Sequence, residues 1–305
     1  MDVVTGSFGY IGKYITHKLL NKGREVKTIT THPNKPNPFG AKVQATTYNF
    51  DNPDKLIATL SGCDTLFNTY WVRFNYRNWS FDKALNNTKT LFECAKKAGI
   101  KKIVQISVTN ATESDSLPYY RGKALQEKTL RELGINFSIV RPTLVFGKED
   151  ILVNNNAWTV RKFPIVPIFG SGEYKVQPVF VEDLAEIAVS SMESENSETI
   201  DAIGSESYTY KEFLQLIAKE LDRKILFIHV WPSLGIFFGK ILSFFVKDVV
   251  LTKDELRGLM VNKLTSNQKP NGKTLFSEWL HENRDSVGSV YTSELSRHFY
   301  WRGAA

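Results

Sequence analysis

The chain has 305 residues, of which 42% are hydrophobic and 23% are charged, and this is the composition of an ordinary soluble globular protein. The length allows one large domain or two smaller ones, and neither an internal repeat nor a low-complexity tract is visible. The net charge of +7 fits a nucleic-acid or anionic-membrane partner, but an anionic cofactor and solvated lysines explain it as well, and we favour this second interpretation.

Two features bear on the cellular compartment. The cysteines Cys63 and Cys94 lack the spacing of metal ligands and indicate a reducing environment. No signal peptide precedes the first predicted strand. We therefore expect a cytoplasmic protein that has no metal site.

A glycine-rich turn follows the first predicted strand and reads T-G-S-F-G-Y-I-G from position 5 to position 12. A segment with helical spacing comes next, so the turn has the context of a dinucleotide-binding motif. Gly6 would permit the sharp turn, Gly9 the approach of a pyrophosphate, and Gly12 the close packing of helix on strand. The free N–H groups at the helix N-terminus would favour that anion. The predicted cofactor-binding residues of this turn are Gly6, Phe8, Gly9, Tyr10, Ile11 and Gly12.

Residues 25–31 form the second predicted strand, whose end normally meets the adenine ribose of a dinucleotide. An acid at this position would bond the ribose 2′-OH and repel a 2′-phosphate. The chain has Thr30 and Thr31 there, with Lys35 shortly after, and no carboxylate. The sequence therefore favours NADP(H) over NAD(H), although it has no well-placed arginine to bind the 2′-phosphate.

The third and fourth strands are predicted at 42–47 and 64–68. Asn49 and Phe50 follow the third strand, where polar and aromatic groups commonly meet the adenine. Capping of the helix that begins near Asp54 is the alternative explanation for the neighbouring polar residues. Asn68 and Thr69 end the fourth strand and are also predicted to contact the cofactor.

The loop at 69–77 is dense in aromatic residues and arginine. Such a segment can stack on single-stranded nucleic acid. At the carboxyl end of a central strand, however, it would border the ligand cleft of an open α/β sheet. We favour the cleft wall and expect no nucleic-acid partner. A helix is predicted at 79–98, ended by Gly99.

The fifth strand is predicted at 101–107, followed by a helix at 118–130 that begins P-Y-Y-R-G-K. Tyr119 and Lys123 lie one turn apart on the same face of this helix. An ammonium near a phenol favours the phenolate. It thereby lowers the pKa of the phenol hydroxyl toward the range in which the group can act as a general acid or base. The alternative interpretation is that Tyr119 and Lys123 are two surface residues that lie four positions apart by chance. Because Ser107 ends the preceding strand, we favour the functional interpretation.

A sixth strand at 136–141 is followed by a segment from Pro142 to Gly147 that is predicted to enter the cleft. The alternation of strands and helices up to this point predicts a doubly wound, mostly parallel sheet. We assign residues 1–147, with later strands returning to it, to a dinucleotide-binding domain and residues 148–305 mainly to a smaller, mostly helical substrate lobe. The later elements are predicted as helices at 154–162, from 182, at 211–221, 233–246 and 253–261, a loop at 164–172 and a strand at 176–181.

The predicted helix from Ser233 to Val246 carries a wide apolar stripe and is too short to span a bilayer. It could pack on the substrate lobe, close over a lipophilic substrate, or lie in a membrane surface. We favour the first two interpretations, and peripheral membrane contact remains the alternative. The stripe consists of Leu234, Phe237, Phe238, Ile241, Leu242 and Phe245.

Taken together, the motifs resemble the extended and atypical branches of the short-chain dehydrogenase/reductase superfamily. Within it the chain resembles the atypical group of NAD-dependent epimerase/dehydratase-like proteins that includes the nucleotide-binding accessory subunit of respiratory complex I and its prokaryotic relatives. The residues that carry the resemblance are Thr5-Gly6-x-x-Gly9-x-x-Gly12, Tyr119-x-x-x-Lys123, Arg141-Pro142 with Phe146-Gly147, and Gln177-Pro178-Val179 running to Asp183.

The resemblance implies a Rossmann-type domain with a C-terminal substrate lobe. It also implies that Tyr119 is the general acid/base, that Lys123 binds the nicotinamide ribose, and that Pro142 borders the cofactor. Family members carry a catalytic Ser or Thr at the position of Val108. Here Ser107 or Thr109 would have to supply that hydroxyl, and we include both among the candidate catalytic residues.

The leading hypothesis is an NAD(P)(H)-dependent oxidoreductase acting on a small carbonyl or alcohol substrate, or an epimerase or dehydratase that uses hydride transfer transiently. A protein that binds NADP(H) as a structural or sensing element without turnover is the alternative. Val108 favours the alternative, and the retention of Tyr119 and Lys123 favours the enzyme. The sequence indicates neither the substrate nor the oligomeric state.

Overall fold

The computed structural model describes residues 1–299, with the side chains of Phe238 and His298 left out. The chain forms two compact units. Unit 1 comprises Met1–Pro142 and Val181–Ala202, and unit 2 comprises Thr143–Phe180 and the described chain from Ile203 onward.

The strands in chain order are β1 (Asp2–Thr5), β2 (Val26–Ile29), β3 (Val43–Thr46), β4 (Thr65–Asn68), β5 (Lys102–Ile106), β6 (Asn136–Pro142), β7 (Leu144–Phe146), β8 (Ile165–Phe169), β9 (Lys175–Val176), β10 (Pro178–Phe180), β11 (Glu198–Ala202), β12 (Tyr208–Thr209) and β13 (Leu226–Val230). The helices are α1 (Tyr10–Asn21), α2 (Pro53–Leu60), α3 (Phe81–Lys97), α4 (Pro118–Glu132), α5 (Leu152–Lys162), α6 (Val181–Ser191), α7 (Tyr210–Glu220), α8 (Pro232–Val246), α9 (Lys253–Met260), α10 (Phe276–Glu282) and α11 (Glu294–His298).

Unit 1 is built on a seven-stranded sheet in the order β11-β6-β5-β4-β1-β2-β3. Every neighbouring pair in this sheet is parallel. The central strands β1, β4 and β5 are buried along their whole length, as expected for strands that are covered by helices on both faces. The predicted doubly wound α/β fold is therefore confirmed, with β11 as a seventh strand that the sequence pattern did not indicate.

Capping side chains and a glycine set the ends of the helices α2 and α3 in unit 1. Asn52 caps α2 by accepting a hydrogen bond from the Lys55 N–H, at 3.1 Å, so the capping explanation applies to this residue. Ser80 caps α3 in the same way and places its start two residues later than predicted. Gly99 follows α3 with a φ of +84°, a conformation that suits glycine after a helix.

Unit 2 contains three two-stranded sheets, β10-β7, β12-β9 and β13-β8, and the helices α5 and α7–α11. The predicted loop at 164–172 is wrong, because Ile165–Phe169 forms β8 and pairs in parallel with β13. Pro164 and Pro167 suggested a loop. A strand in a two-stranded sheet, however, has one unpaired edge, and proline is tolerated there because no backbone N–H is needed for a ladder hydrogen bond. The core of this unit is aromatic, with Phe146, Phe276 and Trp279 in mutual contact.

Candidate functional site

The order of the sheet reverses between β1 and β4, because the chain continues outward from β1 through β2 on one side and from β4 through β5 on the other. In open α/β sheets, ligands bind beyond the carboxyl ends of the strands at such a switch point. Thr5 ends β1 there, and its hydroxyl donates to the Asn68 side chain at 3.2 Å and accepts from the Thr69 N–H at 2.6 Å. The Thr69 hydroxyl in turn donates to the Thr5 carbonyl at 2.6 Å.

The glycine turn starts at this point, and each predicted glycine has a distinct steric role. Gly6 has a φ of +67°, which bends the chain sharply after β1. A Cβ at Gly12 would lie 2.3 Å from the Gly6 carbonyl oxygen, so only glycine lets α1 approach the turn. A Cβ at Gly9 would lie 3.1 Å from the same oxygen. Side chains at Gly9 and Gly12 would therefore crowd the backbone of this turn, which we call the glycine cradle.

The N-terminus of α1 opens from this cradle. Gly9 is its N-cap and donates its N–H to the Gly6 carbonyl at 2.8 Å. The first turn of the helix has neither a capping side chain nor an acidic residue, so its positive end is available to an anion. Tyr10 and Ile11 are half-buried in this turn, and Phe8 is buried. The residues present fit the pyrophosphate of a dinucleotide.

Thr30 and Thr31 follow β2 at the same edge of the sheet. Thr30 is buried, and its hydroxyl accepts a hydrogen bond from the His32 N–H at 3.2 Å, whereas Thr31 is exposed. The segment from Thr30 to Thr47 contains no aspartate or glutamate. Nothing anionic in this segment would oppose a ribose 2′-phosphate.

The residues after β3 take different positions. Phe50 stacks on Tyr48 at 4.7 Å between ring centroids and contacts Tyr70 at 5.3 Å. The Asn49 side chain accepts from the Thr47 hydroxyl and donates to the Thr47 carbonyl, both at 3.1 Å. The hydrogen bonds of Asn49 are therefore local, and it is Phe50 that joins the aromatic group beside the switch point.

Lys123 lies on α4 and is only 3% exposed. Its Nζ donates to the Ile106 carbonyl at the end of β5, at 2.9 Å, and lies 5.2 Å from the ring centroid of Trp71. Burial lowers the pKa of Lys123 to about 7, against the opposing charge of Glu127. The ammonium form of Lys123 therefore gives up its proton more readily than that of an exposed lysine.

Trp71 packs against α4 at the one position that has no side chain. A Cβ at Gly122 would lie 2.7 Å from two atoms of the Trp71 ring, so glycine lets the indole lie on the helix. The indole Nε1 is buried and has no hydrogen-bond partner within the described part of the chain. Sequence analysis placed Trp71 in a cleft wall, but it gave no sign that Gly122 makes room for this ring.

Tyr119 is half-buried, and its ring meets three other aromatic rings edge-on. The centroid distances are 6.4 Å to Trp71, 6.2 Å to Phe81 and 5.4 Å to Tyr120. The structure thus brings Tyr119 and Lys123 together through Trp71, which contacts both of them.

The candidate hydroxyls after β5 are placed differently from Tyr119 and Lys123. Ser107 donates to the Glu127 carboxylate at 2.6 Å, so its hydroxyl is held by α4. Val108 packs in an apolar cluster that includes Leu117 and Tyr120. Thr109 is fully buried, and its N–H donates at 3.1 Å to the carbonyl of Pro142, the last residue of β6.

A buried polar chain, which was not predicted from the sequence, joins the switch point to α4. The Asn68 side chain donates to Gln105 at 2.7 Å, and Gln105 donates to the Ile106 carbonyl that Lys123 also contacts. Gln126 donates to the Thr88 hydroxyl at 2.7 Å. The signal for this chain was Gln105, a long polar residue inside the apolar strand β5. Among the residues described, no three His, Cys, Asp or Glu side chains cluster in a way that could hold a metal ion.

These features define a dinucleotide-binding protein of the Rossmann type. Residues 6–154 match the family described as NAD(P)H-binding. The resemblance to atypical short-chain dehydrogenases/reductases is confirmed, and the matched residues, just under half of the chain, are similar to an NAD(P)-binding domain.

One curated relative is the mitochondrial NADH dehydrogenase [ubiquinone] 1 alpha subcomplex subunit 9 of Arabidopsis thaliana. It is 25% identical to this chain over 225 residues, which are 70% of this chain and 56% of the relative. The chain thus spans just over half the length of that relative.

Two solved structures share the fold. Citrobacter sp. triphenylmethane reductase matches with a TM-score of 0.77 and 16% identity, over 93% of this chain and 99% of that chain. A further structure of that reductase is complexed with NADP(H). UDP-glucose 4-epimerase from Thermotoga maritima matches with a TM-score of 0.70 and 16% identity, over 94% of this chain and 98% of that chain.

Proposed function

We propose that the protein is an NADP(H)-dependent oxidoreductase that acts on a small carbonyl or alcohol substrate. An epimerase or dehydratase that transfers hydride transiently would use the same residues. The observation that carries the proposal is Lys123, a buried lysine beside the carboxyl end of β5 and one helical turn from Tyr119. A lysine is rarely buried without a specific use, because desolvation of its charge is costly.

The proposal assigns separate tasks to the residues of unit 1. The turn from Gly6 to Gly12 holds the pyrophosphate, and Thr30 leaves room for a 2′-phosphate. Lys123 holds the nicotinamide ribose and, while it is cationic, favours the phenolate form of Tyr119. The Tyr119 hydroxyl then gives a proton to the substrate oxygen or takes one from it. A nicotinamide held by these residues would supply or accept the hydride.

One observation favours a second function, namely NADP(H) binding without turnover. The Ser107 hydroxyl is held by Glu127 at 2.6 Å, and Val108 occupies the position where a Ser or Thr is expected to polarise the substrate. The Arabidopsis relative is itself a subunit of an NADH dehydrogenase. In this second function the nucleotide would act as a structural or sensing element.

Removal of the Tyr119 hydroxyl distinguishes the two functions. If the protein is an enzyme, Tyr119→Phe lowers the rate of NADPH-dependent reduction by about 10²- to 10⁴-fold, since positioned proton transfer contributes about that much. Nucleotide affinity stays unchanged, because the glycine cradle is untouched. The measurement is NADPH oxidation against a panel of carbonyl and quinone compounds, with fluorescence titration of NADPH alongside it.

Two further variants complete this test. Tyr120→Phe, a matched change at the next residue of α4, should retain the wild-type rate. Lys123→Met should weaken NADPH binding under either function. A wild-type protein that binds NADPH but reduces no member of the panel would favour the second function. A Tyr119→Phe variant with full activity on an identified substrate would refute the catalytic assignment.

A further inference from the structure

Helix α8 presents bulky apolar residues to the solvent. Its 15 residues carry exposed Leu234, Phe237, Ile241 and Phe244 at intervals of three and four, which places them along one face. Phe244 is 80% exposed, and its neighbour Phe245 is 74% exposed. A helix on the surface of a globular protein normally turns such a face toward the core.

The opposite face of α8 includes three small residues one turn apart, beside the half-buried Ile236, Leu242 and Val246. Gly235 is buried, and a Cβ there would lie 2.3 Å from the ring of Phe169 on β8. Gly239 lies one turn further along the helix, and a Cβ there would lie 4.0 Å from Leu251. Ser243 follows after another turn and accepts a hydrogen bond from the Val250 N–H at 3.1 Å. The helix therefore approaches the rest of unit 2 closely at Gly235, while most of its aromatic side chains that are described remain exposed.

Exposed apolar residues continue beyond the helix. Trp231, immediately before α8, is 81% exposed. Leu226 on β13 is exposed and is paired with Ile165 on β8, which is exposed as well. We call these residues, together with the outer face of α8, the apolar patch. Several exposed apolar side chains on neighbouring elements are typical of an interaction surface.

The segments that form the apolar patch carry charges of one sign, and exposed acids flank these segments at Glu173 and Asp222. Residues 151–172 and 223–247, which include β8, β13 and α8, contain no aspartate or glutamate. They carry six cationic residues, of which all but the first are exposed: Arg161, Lys162, Arg223, Lys224, Lys240 and Lys247. An apolar surface with cations alone is complementary to an anionic lipid surface.

We propose that unit 2 docks on an anionic bilayer surface through the apolar patch, with α8 lying in the interface plane. At 1.5 Å per residue α8 is about 22 Å long, shorter than the ~30 Å hydrocarbon layer. In line with this, none of the described helices is long and apolar enough to cross a membrane. Leu234, Ile241, Phe244 and Phe245 enter the acyl boundary, and Trp231 lies at the headgroup level, where indole rings are favoured.

Charge argues against a second copy of this chain as the occupant. A symmetric dimer would bring the same patch from both copies together. Each patch would then meet the other's cations, with no carboxylate from either patch segment to pair with them. An anionic bilayer relieves that repulsion, and its headgroups can pair with Lys240 and Lys247. This docking does not depend on the nucleotide chemistry of unit 1.

The first test is flotation of the full-length protein with vesicles. We expect binding to vesicles of phosphatidylcholine mixed with phosphatidylglycerol, and much weaker binding to phosphatidylcholine alone. Added salt should weaken the binding, because it screens the attraction between the cations and the headgroups.

Matched variants locate the surface that binds. The double change Phe244→Ser and Phe245→Ser removes two exposed rings and should lower vesicle affinity at least about tenfold. The control is Val261→Ser with Val290→Ser, two exposed apolar residues elsewhere in unit 2. Lys240→Gln should cost about fivefold, the rough share of one cation near an anionic surface. Its control is Lys89→Gln on the exposed side of α3. NADPH affinity, measured on each variant, reports whether unit 1 is intact.

The proposal is overturned if wild-type protein stays unbound on anionic vesicles at low salt, or if the Phe244/Phe245 variant binds them as well as wild type. It is also overturned if the wild-type protein is dimeric, binds no vesicles, and becomes monomeric with that variant, because a second copy would then cover the patch. Tight vesicle binding that only the patch variants lose supports it.

Discussion

At the scale of single residues, Glu127 determines how the candidate site is assembled. Its carboxylate is nearly fully buried on α4 and accepts hydrogen bonds from Ser107, from the Arg141 guanidinium and, at 3.2 Å, from Arg131. Ser107 directly follows β5, Arg141 lies on β6 and Arg131 on α4, so one side chain links three parts of the chain at the edge of the site. It also turns the Ser107 hydroxyl toward α4, although the sequence pattern places that hydroxyl among the catalytic candidates.

Glu127→Gln should therefore destabilise the protein. The substitution leaves Arg141, which is only a quarter exposed, without its charged partner. Loss of one member of such a pair costs about 2 to 4 kcal/mol of unfolding free energy. Urea denaturation followed by circular dichroism measures it. Glu113→Gln breaks an exposed pair with Lys128 and should leave the urea midpoint unchanged. Equal effects of the two changes would contradict the role assigned to Glu127.

A second residue-scale prediction concerns cofactor choice. Because Thr30 stands where a carboxylate would repel a 2′-phosphate, NADPH should bind at least as tightly as NADH. Thr30→Asp should reverse this order by weakening NADPH binding, and Asn86→Asp, which adds a carboxylate at an exposed position of α3, serves as the control. Calorimetric titration with both nucleotides measures the order. A clear preference of the wild-type protein for NADH would refute the prediction.

At the scale of elements, what could be predicted depends on how local the signal is. The turn from Gly6 to Gly12 was recognisable because backbone geometry dictates its residues, and a φ of +67° at Gly6 demands glycine. The pairing of β8 with β13 was not recognisable, because it joins residues some sixty positions apart and one strand contains Pro167. Glu127 was missed for a similar reason. A glutamate in a helix looks like a surface residue until tertiary structure buries it.

The beginning of α5 carries a pH-dependent element. Asp150 is buried there, and its carboxylate accepts from the Val153 N–H at 2.7 Å and from the Asn154 amide at 3.0 Å. Burial nevertheless raises the pKa of Asp150 from 3.8 to about 7. Between these two values the folded protein keeps a proton that the unfolded chain has lost. The contribution of Asp150 to stability is therefore full below about pH 4 and is lost as the pH rises through about 7.

Asp150→Asn should remove this pH dependence. Relative to wild type, the unfolding free energy of the variant should increase by about 3 kcal/mol between pH 5 and pH 8, the rough value for one proton released over about two pH units. Denaturant melts at both pH values measure the difference. Asp54→Asn, an exposed acid in the first turn of α2, should give a profile parallel to wild type. A parallel profile for Asp150→Asn as well would rule out the proposed titration.

At the scale of the whole molecule, the chain passes between the two units three times, after Pro142, Phe180 and Ala202. Unit 1 is consequently completed by a segment that follows part of unit 2. That segment contains α6, whose Val181, Leu184, Ala185, Ala188 and Val189 are fully buried, and β11, which covers the edge of β6. Ion pairs from Lys18 to Glu186, at 3.2 Å, and from Lys22 to Glu193, at 2.9 Å, also join α1 to this segment.

A fragment that ends at residue 147, the predicted end of the first domain, should therefore fail to form a stable unit 1. It would expose the β6 edge that β11 pairs with and the face of α1 that α6 covers, and exposed strand edges promote aggregation. A chain in which a Gly/Ser linker replaces residues 143–180 and which ends at residue 202 retains both elements. We expect this second chain to be folded and to bind NADPH, and the short fragment to aggregate or to bind none. Circular dichroism and fluorescence titration compare the two. A short fragment with the NADPH affinity of the full chain would show that α6 and β11 are dispensable, and the unit would then have to draw its stability from β1–β6 alone.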